Sequence, residues 1–236
     1  MTPSGPEYSY VEKPSMELLG RLGWTQIDAF QETLGAQGTL GRESQHDVVL
    51  THRLRFAMRK LNDPEVPDAS INEAIETLAK DRSVMDRVRA NREVYDLLRD
   101  GYRAEWTDDN GDKRIETLRY LDLKDPANND LLAVQQMWVK GNLHSRRLDV
   151  ALFVNGVPLV LMEFKEPNEP VKSAYDLNLT DYRDTIPELF RLAVERQRCK
   201  GRGDIRTVGV LRRLEGHRRC RHSRRDRAGN GAAWHL

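Results

Sequence analysis

The sequence predicts an α/β domain followed by a basic tail, and three observations carry that reading. Helical and strand periodicities succeed one another along the first 190 of the 236 residues. Two apolar runs, residues 147–154 and 157–165, flank Asn155-Gly156, the dipeptide pattern that most strongly signals a two-residue hairpin. Nearly every position of that hairpin is apolar, so both faces need cover and the hairpin belongs at the centre of its sheet. A chain of this length holds one sizeable core, or two small ones at most.

The elements follow in order. Residues 3–14 are polar and turn-prone. Residues 15–22 read as a short helix after Pro14, with Met16, Leu18, Leu19 and Leu22 apolar and Gly23 as its stop. Residues 24–27 start a strand, and a glycine-punctuated loop runs from Gly35 to Gly41. Residues 47–61 are helical, with Val48, Val49, Leu54, Phe56, Ala57 and Leu61 on a broad stripe. Residues 70–98 read as one long helical region capped by Ser70 or Asn72, with Ile71, Ala74, Ile75, Leu78, Val84, Met85 and Val88 apolar. Asp100-Gly101 ends it. Residues 102–106 and 114–122 are strands joined by Asp109-Asn110-Gly111-Asp112, and residues 131–140 form a further strand before the hairpin. A last helix is expected over residues 173–184, closed by Pro187.

Composition removes other classes. A chain 39% hydrophobic and 32% charged is neither fibrous nor membrane-embedded. Its apolar runs, such as residues 157–162, are strand-sized and too short to span a bilayer. The start, Met1-Thr2-Pro3-Ser4-Gly5, lacks the basic head and apolar run of a secretory signal, so a cytoplasmic location and no membrane partner are expected.

The net charge of +1 hides an asymmetry. Residues 191–236 carry 14 Lys and Arg against 4 Asp and Glu, a net of +10, which leaves 24 against 33, a net of −9, for the rest. Thirteen of those 14 basic residues are Arg. One reading is a basic arm that neutralises phosphates; the other is a disordered or frameshifted tail, since Arg-rich, aperiodic sequence of this kind arises from out-of-frame reading of a GC-rich gene. Cys199, Cys220, His217 and His222 do not have the spacing of a zinc site. The expected division is therefore residues 1–190 and 191–236.

Three charges interrupt the apolar hairpin: Asp149, Glu163 and Lys165. A carboxylate in a central strand is costly unless it is satisfied. A hairpin turning at 155 and 156 brings Asp149 and Glu163 close, and a divalent cation between them removes their repulsion. Lys165 shares the face of Glu163 because strands alternate with period two. An acidic pair plus a lysine suits metal-assisted hydrolysis of a phosphodiester. The geometry carries a condition. A strict two-residue turn pairs Val154 with Val157, so Asp149 opposes Met162 and faces away from Glu163. The acids converge only through an odd loop or a bulge, which Gly156 is placed to provide, and that irregularity is expected. The structural alternative pairs Asp149 with Arg146 or Arg147 and Glu163 with Lys165.

Asp149 followed 14 residues later by Glu163-Phe164-Lys165 resembles the PD-(D/E)xK nuclease motif. The wider sequence resembles the N-terminal nuclease domain of the motor (R) subunit of type I restriction enzymes. Pro14-Ser15-Met16-Glu17-Leu18-Leu19 with Leu22-Gly23-Trp24, Gly41-Arg42-Glu43-Ser44, residues 54–62, the hairpin, residues 178–182 and Thr185-Ile186-Pro187 carry the likeness, over roughly residues 8 to 190. The resemblance implies a restriction-endonuclease-like core, a mixed central sheet flanked by helices with an extra N-terminal helical region, that cuts double-stranded DNA with Mg²⁺. It implies Asp149 and Glu163 as metal ligands and Lys165 as the catalytic lysine. Glu17, on the first helix, matches the acidic residue that often adds to the metal site. A Gln-x-x-x-Tyr motif that handles DNA falls on Asn178 and Tyr182, so the tyrosine matches and the glutamine does not. The aspartate is preceded by Leu148 in place of proline.

Full-length relatives continue into an ATP-driven translocase. Gly-x-x-x-x-Gly-Lys-[Ser/Thr] does not occur here, so no ATP site is expected in this chain. The likeness ends near Leu192, and a frameshift or damaged gene accounts for both features, which makes a truncated nuclease domain the expectation. The functions in competition are an endonuclease domain working with methyltransferase (M) and specificity (S) subunits; a catalytically silent remnant that only docks on those subunits; and an autonomous nuclease whose basic tail supplies DNA affinity.

Overall fold

The computed structural model describes residues 8–142, 144–164, 180–192 and 206–209. A π-helical turn, Tyr8–Glu12, runs into α1, Lys13–Arg21, with Pro14 in the first turn, where its missing N–H costs no helical bond. Strand β1, Thr25–Asp28, follows at once. Helix α2 spans Thr51–Leu61, α3 Asp68–Ala79 and α4 Arg87–Asp100. Strands β2, Tyr102–Thr107, and β3, Lys113–Leu118, pair with each other in a separate antiparallel ribbon. Strands β4, Leu131–Lys140, β5, Ser145–Val154, and β6, Val157–Glu163, form the body of the main sheet. Two short helices, α5, Thr180–Thr185, and α6, Pro187–Leu192, come next, and β7, Arg206–Gly209, is the last described element.

The main sheet runs β1-β4-β5-β6-β7, with β1 parallel to β4 and every other pair antiparallel. It is the expected mixed sheet of an α/β domain with an N-terminal helix, and β5 lies at its centre. Its fifth strand comes from the segment that sequence assigns to the tail. Both faces are covered, as the continuous apolar character of β5 and β6 requires. On one face Met16 and Leu19 of α1 pack on Ala133, Val150, Leu152 and Phe164. Full burial of such side chains stabilises by about 1.5–3 kcal/mol each. The other face meets the larger core, which includes Leu54 and Met58 of α2, Ile71 and Leu78 of α3, and Tyr182 and Ile186 of α5 and its C-terminal flank.

Two helices differ from the sequence expectation. The helix expected from residue 47 begins at Thr51, because residues 48–50 pack as a buried loop in which Leu50 N–H donates to the Gly156 carbonyl at 2.8 Å. The long helix expected over residues 70–98 is two helices, and its start is Asp68, with Ser70 buried inside α3 rather than capping it. Side-chain bonds to the backbone cause the break. Buried Arg82 donates to the Thr77 and Leu78 carbonyls at the end of α3, and Asp86 accepts from Val88 and Arg89 N–H to start α4. Val84 and Val88, expected on the apolar stripe, are 97% and 77% exposed in consequence. The expected helix over residues 173–184 is described from Thr180 onward; its earlier part lies outside the described residues.

The hairpin turn is regular. Asn155 and Gly156 have φ of 52° and 80°, and Val154 pairs with Val157. Asn155 is fully buried; it accepts from Asp130 N–H at 2.7 Å and donates to the Tyr120 carbonyl and Asn129 Oδ1 at 2.9 Å each. At Gly156 a Cβ would stand 2.4 Å from the Leu50 carbonyl oxygen, so the approach of α2 demands glycine twice over.

Candidate nuclease centre

The expected irregularity is present, three residues beyond the turn. Phe153 pairs with Pro158 but Leu152 pairs with Val160, so Leu159 is an extra residue in β6. Beyond it Val150 pairs with Met162, and the next position in register sets Asp149 opposite Glu163. Gly156 takes no part in this shift; the bulge sits at Leu159. A one-residue slip reverses every side chain of a strand, and here it brings the two acids together.

A second irregularity crosses the same row. In β4, Leu132 and Val134 pack into the larger core and Ala133 against α1; further along, Met137 and Val139 face the larger core. The alternation therefore slips by one residue at Gln135-Gln136, where Gln136 has φ of 57°. In β5 the slip falls at Asp149, since Ala151 and Phe153 face the larger core, Val150 and Leu152 face α1, and Leu148 again faces the larger core. Pairing resumes unchanged on either side, Gln135 with Val150 and Met137 with Leu148, and Gln136 and Asp149 fall at the position the ladder skips between them. Gln136, Asp149 and Glu163 thus occupy one row across three strands, with Arg206 of β7 opposite Glu163.

Within this row Asp149 is half-buried and its Oδ2 accepts from Phe164 N–H at 2.8 Å, while Glu163 is buried. Helix α5 carries Tyr182, which is buried in the larger core. Its hydroxyl donates to the Arg147 carbonyl at 3.0 Å. Burial, then the charges of Glu163 and Asp149 and a hydrogen bond with Glu163, hold the phenol far above the usual tyrosine range. Arg146 is taken by Asp181 of α5, which holds the Asp181 carboxyl below its ordinary range and fastens the helix to β5. Arg147 lies over the rings of Phe30 and Trp138, at 5.4 and 5.8 Å. Both neighbouring arginines therefore have partners outside the acidic pair.

Glu17 lies exposed on α1, on the side away from Met16 and Leu19. The buried acid of this region is Glu12, in the turn before α1, which accepts from Gln136 Nε2 at 3.0 Å. Helical spacing holds the signal that finds it, since Glu12 precedes Met16 and Leu19 by four and seven residues and so shares their inward face. Lys165 and Asn178 lie outside the described residues. Among the described residues, no group of three His, Cys, Asp or Glu side chains is close enough to hold a metal ion. Two carboxylates offer hard oxygen ligands, which suit Mg²⁺. A cleft of about 820 Å³ opens elsewhere, between Gly41–Arg55 and the α3–α4 connection, and its lining includes neither carboxylate. No helix among the described residues is long and apolar enough to cross a membrane.

Comparison with known proteins shows the family. Residues 6–211 match the family described as type I restriction enzyme R protein N terminus. The chain belongs to this family. The match runs past Leu192 and includes β7. The chain is 33% identical, over 76% of its length, to the type I restriction enzyme HindI endonuclease subunit of Haemophilus influenzae. It is 28% identical over 64% of its length to the putative type I restriction enzyme MjaIXP endonuclease subunit of Methanocaldococcus jannaschii. The type I restriction enzyme EcoprrI endonuclease subunit of Escherichia coli is 26% identical over 65% of this chain. The aligned part spans 17% and 15% of the first two relatives and 50% of the third.

Proposed function

We propose that this domain is the Mg²⁺-dependent endonuclease part of a type I restriction-modification enzyme and hydrolyses phosphodiesters of double-stranded DNA. The observation that carries the reading is the bulge at Leu159, which sets Asp149 opposite Glu163 in the middle of an otherwise apolar sheet. Two carboxylates so placed in an apolar sheet repel each other, and a divalent cation held by them would relieve that repulsion.

Asp149 and Glu163 would hold the ion, and when bound it would polarise the phosphoryl oxygen and lower the pKa of its water. The chain's own residues do the rest. Phe164 N–H fixes one Asp149 oxygen and so orients the other. Tyr182 is buried and anchored on the Arg147 carbonyl, on the strand that carries Asp149. Lys165, two residues after Glu163, is assigned the catalytic lysine, stabilising charge that develops on the phosphate. Tyr182 and Asn178 are assigned to DNA handling. A net charge of −9 over residues 1–190 makes the body a poor DNA binder alone, which supports delivery of DNA by methyltransferase and specificity subunits and by an ATP-driven motor elsewhere in the enzyme.

The test is nicking of supercoiled plasmid by the purified chain in Mn²⁺ or Mg²⁺, beside Lys165→Ala. Metal-dependent nicking that Lys165→Ala loses is the expected result. Nicking that survives the substitution would remove Lys165 from the assignment.

A further inference from the structure

Gln136 combines three features rarely found together in a sheet. It stands in mid-strand with φ of 57°, a left-handed conformation that costs a side chain with a Cβ. It is buried, and its amide donates to the equally buried Glu12 carboxylate. It shares with Asp149 the register position that the β4–β5 ladder skips, and at these two residues both strands lose the alternation they keep on either side. Strain of this kind persists only where the surroundings hold it, and the bond that Gln136 donates to Glu12 is one such restraint.

We infer that Gln136 is a positioning residue for the carboxylate centre. Bonded to Glu12, it stays left-handed, and the slip this imposes on β4 holds Asp149 out of regular alternation, where its carboxylate accepts from Phe164 N–H. Glu12 and Gln136 then act as one unit outside the pair, in the manner of the outer groups that orient metal ligands. The inference rests on the reading of Asp149 and Glu163 as a metal centre.

Glycine separates this role from mere packing. Gln136→Ala and Gln136→Gly delete the same amide, but glycine adopts positive φ freely and alanine does not. Mn²⁺ affinity is measured by titration calorimetry on the full chain, with Asp149→Asn as the reference. Binding by the unsubstituted chain that Asp149→Asn weakens establishes the reading. On that background Gln136→Ala is expected to weaken Mn²⁺ binding by about 10-fold. Gln136→Gly should stay within about 3-fold of the unsubstituted chain, and Glu12→Ala should behave as Gln136→Ala does. Equal losses in alanine and glycine, or no loss in either while Asp149→Asn binds weakly, would overturn the role of Gln136 and leave the metal reading standing. No Mn²⁺ binding by the folded chain, or binding that Asp149→Asn leaves intact, would overturn both.

Discussion

Asn155→Ala should be among the most damaging substitutions in the domain, although Asn155 touches no site residue. Its fully buried side chain closes the hairpin turn against the segment 120–130, with one bond accepted and two donated. Truncation leaves the Asp130 N–H and the Tyr120 carbonyl without these partners. Each such loss costs about 1–3 kcal/mol. Asn129 Oδ1 keeps the Asp122 N–H and adds little. Alanine also tolerates φ of 52° less well than asparagine, which adds about 0.5–1 kcal/mol. The total is about 3–5 kcal/mol, and at about 2–4 °C per kcal/mol for a domain of this size the midpoint should fall by roughly 10 °C. Thermal unfolding followed by tryptophan fluorescence measures the midpoint, and urea unfolding the free energy. Asn155→Gly, which relieves the backbone but not the bonds, should recover about 1 kcal/mol of the loss. A cost below about 1 kcal/mol for Asn155→Ala would refute the claim that this side chain anchors the turn.

Other outcomes follow from the same geometry. Gly156→Ala should destabilise by about 3 kcal/mol or more, because the left-handed turn and the Leu50 carbonyl both oppose a Cβ; urea unfolding tests it. Tyr182→Phe should cost about 1 kcal/mol of stability through the lost bond to the Arg147 carbonyl and slow nicking without abolishing it. Asp122, whose carboxylate accepts from Asp125 N–H, the Asn128 amide and Lys124 N–H, has its pKa pulled down to about 2. A depressed carboxylate contributes stability above its unfolded pKa and loses it as pH falls, so unfolding should become easier from about pH 4 toward pH 2. Asp122→Asn should flatten that part of a thermal-melt series against pH.

Much of the fold is legible from residue patterns. The hairpin is, because Asn-Gly between two apolar runs leaves few alternatives and because continuous apolar character forces the central position. The need for a bulge is legible too, since period two puts Asp149 and Glu163 on opposite faces without one. Its place is not: Gly156 is the natural candidate, but both turn residues are committed to the two-residue turn and to the approach of α2, so the extra residue moves to Leu159. The division of the 70–98 region escapes pattern reading for a different reason. Val84, Met85 and Val88 continue a helical stripe, while Arg82 and Asp86 end it through bonds to the backbone that periodicity does not register. Glu12 was hidden by the reverse effect. A charged residue one turn before the helix reads as solvated, and its burial depends on a glutamine 124 positions away.

The most direct test of the paired carboxylates compares metal-dependent plasmid nicking by the unsubstituted chain with Asp149→Asn and Glu163→Gln, each shown to be folded by its melting curve. The facing arrangement predicts that either substitution alone lowers nicking by at least about 100-fold and that the double substitution is scarcely worse, because the two groups act as a unit. Nicking retained in either single variant, or losses that multiply in the double, would contradict it.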